Sequence, residues 1–416
     1  MKRTMKLLYM AALVLMGAVT AGCTSGELVE EQPENKSKTV TLTTKVSMDG
    51  AATKALTATG VKTFAEGETM AVIYDNGTSK VKAVSHALED GDLIDGGKSA
   101  RFTFDLETPN TSVAVTYIYP AVMADETGVD DGKLNLQDGT LASLSSSLDL
   151  ATQIAAWEGT SLPAATLVNR LAILAISLKD SYGNNISSIT SMTISYGTYN
   201  YAISPKSNET EINTPVYVAL RPRDNANIAV TVNDGSKNYT KSLTGKTYAA
   251  GNGYNVTWNF PIVLNISNPI VGHVICVDGK NYVYSNRPGG ITAIARICYV
   301  DGTGHGLALA LTDEGFYPWE FAMNYCGKHK PAVSGGAWKL ASYSEWNDMA
   351  LAMGGCDKLR DGFSSVDGTD MKSTYYWTSA TNNDTDAYFW NFSNQGILYD
   401  SDLKTRYHYA RACLAF

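Results

Sequence analysis

The sequence predicts a mainly β chain, with two tandem β-sandwich domains followed by a smaller α+β domain. Three observations carry this. Between residues 39 and 262, apolar residues recur with period two in short runs, separated by turns rich in Gly, Asn and Asp. No stretch before residue 300 sustains a helical period. Beyond it two helical periods occur, in a region that gathers Trp338, Trp346, Trp377 and Trp390 out of seven Trp in all.

A chain of 416 residues is too long for one ordinary core, so two or three domains are expected. The net charge of −8 and pI of 5.2, with no basic stripe to offset them, exclude nucleic acid as a partner. Charged residues are only 18% of the chain, and Thr, Ser, Asn, Gly and Tyr are abundant, a composition suited to extracellular β structure.

Residues 1–22 read as a lipoprotein signal peptide. Lys2, Arg3 and Lys6 form a positive start, and Leu7 to Val19 is apolar but too short for a good membrane span. The segment ends in Thr20-Ala21-Gly22-Cys23, which resembles a bacterial lipobox with Thr in place of the usual Leu. The resemblance implies cleavage before Cys23, acylation of that residue by palmitate-type chains, and lipid anchoring at the outer membrane. The alternative is a plain secretory signal with an incidental Cys. Residues 23–38 hold Glu27, Glu30, Glu31, Glu34 and Pro33 without apolar period and read as an acidic, solvated tether.

The first β domain spans 39–158. Val40, Leu42, Val46 and Met48 alternate with polar residues, as in a strand with one buried face. Runs at 70–74, 102–106 and 113–119 follow. The second β domain, 159–262, contains Leu171 to Leu178, apolar on both faces like a central strand, and Asn233-Asp234-Gly235, suited to a tight hairpin. Pro261 to Pro269 reads as a connector.

Three segments in this β region are similar to the fimbrillin (Mfa-like, FimA-type) pilins of Bacteroidetes, whose domains are of transthyretin-like type. They are Phe64-Ala65-Glu66-Gly67-Glu68-Thr69-Met70-Ala71-Val72, Asn169-Arg170-Leu171-Ala172-Ile173-Leu174 and Tyr248-Ala249-Ala250-Gly251-Asn252-Gly253-Tyr254. The resemblance covers residues 39–262. It implies a surface precursor from which a trypsin-like protease removes the first strand, here Thr39 to Met48, leaving a groove for a strand donated by another pilin subunit. Lys45 and Lys54 are the candidate cut sites. The family's usual cut follows Arg, and no Arg lies between Arg3 and Arg101.

The last domain, 263–416, carries a helical stripe of Trp319, Ala322, Met323 and Cys326 within 317–328. A second helix begins at Ser342 or Ser344 and runs to Met353. Ser342 and Glu345 form its capping box, Trp346, Met349, Ala350 and Met353 its buried stripe, and Gly354-Gly355 its stop. Trp338-Lys339-Leu340-Ala341-Ser342 with Glu345-Trp346, then Tyr376-Trp377-Thr378-Ser379, then Ala410 to Phe416, resemble bacterial C-type-lectin-like domains of the DUF1566 or major-paralogous type, where Pro usually stands at the place of Ala341. That resemblance covers 272–416 and implies a fold rather than a ligand.

The candidate binding residues are Trp377, Asn383, Asp384, Tyr388, Trp390, Asn391, Asp400 and Asp402. Aromatic rings with Asn and Asp suit a metal-free platform for a glycan or protein receptor. For Trp338, Trp346 and Trp377 the favoured reading is that they fill the core. Calcium is the weaker option, through Asp384 and Asp386. Trp390-Asn391 falls where sugar-binding lectins carry Trp-Asn-Asp, but Phe392 occupies the third place, and no Glu-Pro-Asn or Gln-Pro-Asp partner exists.

No catalytic constellation is present: no nucleophile elbow, no H-E-x-x-H, and no phosphate loop, since Gly302-Thr303-Gly304-His305-Gly306 lacks the Lys and Ser/Thr that follow in one. Cys276, Cys298, Cys326, Cys356 and Cys413 have neither CxxC nor zinc spacing. Being five, they leave at least one thiol outside any intramolecular disulfide. The Cys326 and Cys356 pair only distantly resembles the paired Cys of formylglycine-generating enzymes. The expectation is a non-enzymatic, lipid-anchored surface subunit of a fimbrium, at its tip, that acts as an adhesin. The alternative is a surface glycan-binding lipoprotein of a nutrient-uptake system that never polymerises.

Overall fold

The computed structural model describes residues 38–48, 63–289, 291–394 and 400–416. The signal peptide, Cys23, the acidic tether and Lys54 lie outside them. Residues Thr39–Phe416 form one compact unit, mainly β as the alternation predicts. No helix among the described residues is long and apolar enough to cross a membrane.

The first sheet has eight strands: β1 (Thr39–Met48), β2 (Ala71–Asp75), β3 (Lys80–Val84), β4 (Leu93–Ile94), β5 (Ser99–Glu107), β6 (Val115–Tyr119), β8 (Ala151–Ala155) and β9 (Ala165–Asn169), with β7 (Leu136–Gln137) pairing elsewhere. Their order is β3-β2-β6-β8-β9-β1-β5-β4, so the first strand in sequence lies inside the sheet. Val46 and Phe102, Phe104, Tyr117 and Leu167 fill its core. Phe64, from the first fimbrillin-like segment, packs edge-on against Phe102 and Tyr119, each 5.3 Å between ring centres.

Packing runs on across position 158. β7 extends a five-stranded sheet of Asn238–Tyr248, Arg223–Asn233, Ser191–Tyr196 and Tyr199–Ile203. Ile73, Ile118, Met123, Leu134 and Leu148 share one core with Leu174, Ile176, Ile194 and Trp258. Opposite, Ala172–Lys179 sits between Val216–Leu220 and Gly253–Asn259, which explains its apolar residues on both faces. Gly235, at φ 91°, closes the predicted hairpin in the left-handed region. Asn169 of the second fimbrillin-like segment donates from Nδ2 to Asp149 Oδ1 (2.7 Å) and accepts from the Leu171 amide (2.9 Å), fixing the corner where the chain changes sheet.

The connector after Pro261 is stitched rather than free: Ile262–Val263 pairs in parallel with Val333–Ser334. The last region, hereafter the head, contains a six-stranded sheet in which Ala412–Ala415 lies between Gly306–Ala310 and Ala337–Leu340. A five-stranded sheet runs Gly315–Tyr317, His408–Ala410, Tyr375–Thr381, Asp386–Asn391, Asp400–Leu403. The two longer helices are Trp319–Gly327 and Tyr343–Met353, and a short one covers Cys356–Arg360. The capping box forms as expected: the Glu345 amide donates to Ser342 Oγ (3.2 Å), the Ser342 amide donates to Glu345 Oε2 (2.7 Å), and Gly354 ends the helix at φ 84°.

The five Cys of the head are all free and buried. Burial pushes the Cys298 thiol up to about 11, so these thiols behave as small apolar side chains and not as nucleophiles. Cys326 and Cys356 lie in different core clusters.

Candidate functional site

Two places answer to the sequence reading, the seat of β1 and the Trp377–Asp402 interval. β1 pairs antiparallel with β5 from Thr39↔Glu107 to Ser47↔Ser99, and parallel with β9 over Val46↔Ala165 to Met48↔Leu167. Its inward face is carried by Thr44 and Val46, both buried, with Val40, Leu42 and Met48 half-buried. Thr44 Oγ1 donates to the Pro163 carbonyl (2.7 Å), so the one hydroxyl on that face is satisfied. On the outer face Thr41 Oγ1 donates to Asp105 Oδ1 (2.6 Å). Thr41, and then His86, hold the Asp105 carboxyl below the usual carboxylate range. Lys45 points outward opposite Arg101 and is exposed, but its backbone lies inside the ladder. A protease needs an extended free segment, so cleavage at Lys45 requires β1 to leave the sheet first.

The head interval divides by burial, and three of its candidates need correcting. Trp377 is fully buried with Nε1 donating to the Tyr317 carbonyl (2.8 Å), and Trp390 is 2% exposed, packed against Tyr343 at 5.1 Å. Neither forms a surface platform. The strand Asp386–Asn391 is covered on both faces: Phe389 faces one cluster and Trp390 the other. Asn391 is also buried, its Oδ1 accepting from the Ser393 amide and hydroxyl.

The remaining candidates form a polar hairpin surface. Tyr388 donates to Asn382 Oδ1 (2.9 Å), and Asn382 donates to Ser401 Oγ (3.1 Å). Asn383 Oδ1 accepts from the Thr385 and Asp386 amides. Asp400 is exposed and caps the Ser401 amide. The calcium option at Asp384 and Asp386 meets a cation already in place. Lys404 Nζ donates to the carbonyls of Asn383 (3.1 Å) and Asp384 (2.9 Å) while lying 5.0 Å over the Trp319 ring, and Asp386 Oδ2 accepts from Asn383 Nδ2 (2.7 Å). Among the described residues no group of three or more His, Cys, Asp or Glu converges to hold a metal.

Asp402 lies with Oδ2 3.2 Å from Nε2 of the buried His408. Burial holds the His408 imidazole below its ordinary value, and Asp402 only partly opposes this. His408 is therefore neutral in the folded head at neutral pH, while the unfolded chain takes up a proton near its ordinary value. Stability should fall as pH drops through about 6.5, by up to about 1.4 kcal/mol per pH unit from this one group. Urea denaturation of the wild type and His408→Gln at pH 7.5 and 5.5, about one unit to either side, checks it. The variant should show the shallower loss on acidification, and equal slopes would refute the assignment.

Four further exposed aromatic residues of the head lie elsewhere and were missed in the sequence. Phe316 (51% exposed) and Tyr407 (55%) touch at 5.8 Å, and Phe321 (55%) and Tyr325 (42%) stack at 6.4 Å on the outer face of the Trp319–Gly327 helix. The signal was present, since Phe321 and Tyr325 stand four apart, opposite the buried stripe of Ala322 and Cys326.

No family model matches the chain, and no curated protein matches it. Among solved structures it is similar to a fimbrial protein from Bacteroides ovatus, at 13% identity and TM-score 0.32, over 91% of this chain and 100% of that one. It is similar to a candidate cell adhesion protein from Bacteroides fragilis, at 14% identity and TM-score 0.30, over 55% of this chain and 95% of that one. It is also similar to a fimbrial assembly protein from Parabacteroides distasonis, at 10% identity and TM-score 0.28, over 53% and 92%. Likeness at this level carries no argument for function, which has to rest on the chain's own residues.

Proposed function

We propose that the chain is a cell-surface fimbrial subunit and adhesin rather than an enzyme, anchored through Cys23, in which β1 holds the place of a strand later donated by a neighbouring subunit. The observation that carries this is the seat of β1. Strand β1 is inserted between β5 and β9, which it joins through partners more than 50 residues away. Its removal would leave two parted ladder edges whose core-facing side chains include Phe102 and Phe104 on β5 and Leu167 on β9, the template that strand addition requires. The tip position is supported by the head, a lectin-like domain in this reading. Residues Ala412–Ala415 are hydrogen-bonded along both edges and are not free to be donated. Receptor contact falls to the head.

The test is incubation of the full chain with a trypsin-like protease, followed by addition of a synthetic peptide with the sequence of β1. Cleavage after Lys45 or Lys54, loss of the strand and recapture of the peptide are expected. A chain that keeps β1 under conditions that process authentic pilins belongs to the non-polymerising, glycan-binding alternative.

A further inference from the structure

The junction between the second β region and the head holds a cleft that the strand-exchange reading does not use. One part, of about 450 Å³, is lined by Lys179, Lys241 and Lys330 together with Asp180 and Asn259. It adjoins a second part, of about 500 Å³, lined by Lys328, His329 and Trp338, and the two share Lys330 and Ala332. Four lysines thus face one cleft on a chain whose net charge is −8.

Asp180 is the one carboxylate in the lining, so the four lysines leave the cleft with an excess of positive charge. Among the described residues none of the four lysines forms an ion pair, and Lys241 Nζ donates only to the Asn259 carbonyl (2.9 Å). Burial, and then Lys246, lower the pKa of the Lys241 ammonium, which an anion alongside would relieve. The Asp180 carboxylate is committed to its own turn: Oδ1 accepts from the amides of Tyr182 (2.9 Å) and Asn184 (2.8 Å), and Oδ2 from Asn184 Nδ2 (3.3 Å). The Glu314 carboxylate is bonded to His329 Nδ1. The frame is held by backbone hydrogen bonds: the Ala332 amide donates to the Ser181 carbonyl (2.7 Å), and the Ile262 amide donates to the Ala332 carbonyl (2.9 Å). A preformed cleft at a domain junction, of this size and with convergent polar groups, is where ligands bind.

We infer that this cleft binds a linear anionic glycan, with its sulfate or uronate groups paired to Lys179, Lys241, Lys328 and Lys330. Two adjoining compartments with cations spread along both suit a chain of charged units better than a single anion. The Trp319–Gly327 helix leads straight into Lys328, whose amide donates to the Asn324 and Tyr325 carbonyls (3.2 and 3.1 Å). That helix presents the stacked Phe321 and Tyr325 rings, which suit the flat apolar faces of sugar rings next to a charged stretch. The inference deepens the receptor-binding part of the proposed function and rests on that part alone; strand exchange can fail without affecting it.

The test is calorimetric titration of the full chain with a heparin-derived hexasaccharide, an oligogalacturonate of matched length, neutral maltohexaose, inorganic sulfate and a single-stranded oligonucleotide of matched charge. The expected result is binding of one or both anionic glycans and none of maltohexaose, weakening by about tenfold or more when NaCl is raised from about 50 to 300 mM. The double substitution Lys179→Gln/Lys330→Gln should weaken binding by about tenfold or more, as loss of charge-assisted hydrogen bonds does. Lys80→Gln/Lys98→Gln, on β3 and in the turn that precedes β5, should leave it unchanged. Unaltered thermal midpoints in both double variants establish that the fold is retained. No binding of either glycan, equal weakening by the control pair, or no weakening by the cleft pair would each overturn the inference. Equal affinity for inorganic sulfate, or for the oligonucleotide, would overturn its assignment to a glycan.

Discussion

Replacing Arg411 with methionine is expected to destabilise the head by about 3–5 kcal/mol, because it leaves the partly buried Asp313 carboxylate without its partner. Arg411 is fully buried. Its Nε donates to Asp313 Oδ1 (2.7 Å), its Nη2 to the Thr369 carbonyl (2.8 Å), and its guanidinium lies 4.6 Å over the Phe363 ring. Asp313 also accepts from the Tyr376 hydroxyl (2.9 Å), which itself accepts from the Lys372 amide (2.9 Å). One pair thus ties the terminal strand to the loop before Gly315 and to the central strand Tyr375–Thr381. The double variant Arg411→Met/Asp313→Asn removes both charges and should recover much of the loss, since a buried pair gives little net stability but is costly to break on one side. Urea denaturation of wild type, single and double variants measures the difference. A single variant within about 1 kcal/mol of wild type would mean that Asp313 stays solvated.

The second large effect is expected in β1. Val46→Asp places an unpaired carboxylate in the core against Phe102 and Leu167, and should cost about 4 kcal/mol or more. The penalty falls on the seating of one strand, so the first sheet should open at its centre while the head keeps its cooperative transition. Lys45, one residue earlier, points to solvent opposite Arg101. Lys45→Glu should therefore change stability by no more than about 0.5 kcal/mol. Both variants are compared with the wild type by denaturation, and Val46→Asp, which keeps Lys45, should also be cut after that lysine faster than the wild type. Equal behaviour of the two would show that β1 contributes nothing to the first core.

Much of this architecture was legible before any coordinates. Alternation marked β1, apolar residues on both faces marked Ala172–Lys179 as central, Asn233-Asp234-Gly235 marked its hairpin, and Ser342 with Glu345 marked the start of the second helix. Each is a local rule, in which hydrogen-bond geometry or a side-chain period acts within a few residues. Sequence reasoning went astray where the answer depended on what lies opposite. Trp390 stood among the candidates for a surface platform because a strand shows which residues share a face, but not whether a second layer covers that face. Asp384 and Asp386 looked able to attract a cation, but Lys404, some twenty positions away, supplies one of its own.

The sequence by itself therefore determined the class of the chain, its strands, turns and caps, and which residues are apolar enough to be core. Tertiary structure alone decided that the first strand is an interior one, held by ladders to β5 and β9. It also decided that the Trp-rich interval is scaffold, and that lysines from positions 179, 241, 328 and 330 meet in one cleft. The physical reason is range. Propensity and periodicity act between near neighbours, whereas burial and charge complementarity are set by groups that meet only when the chain folds.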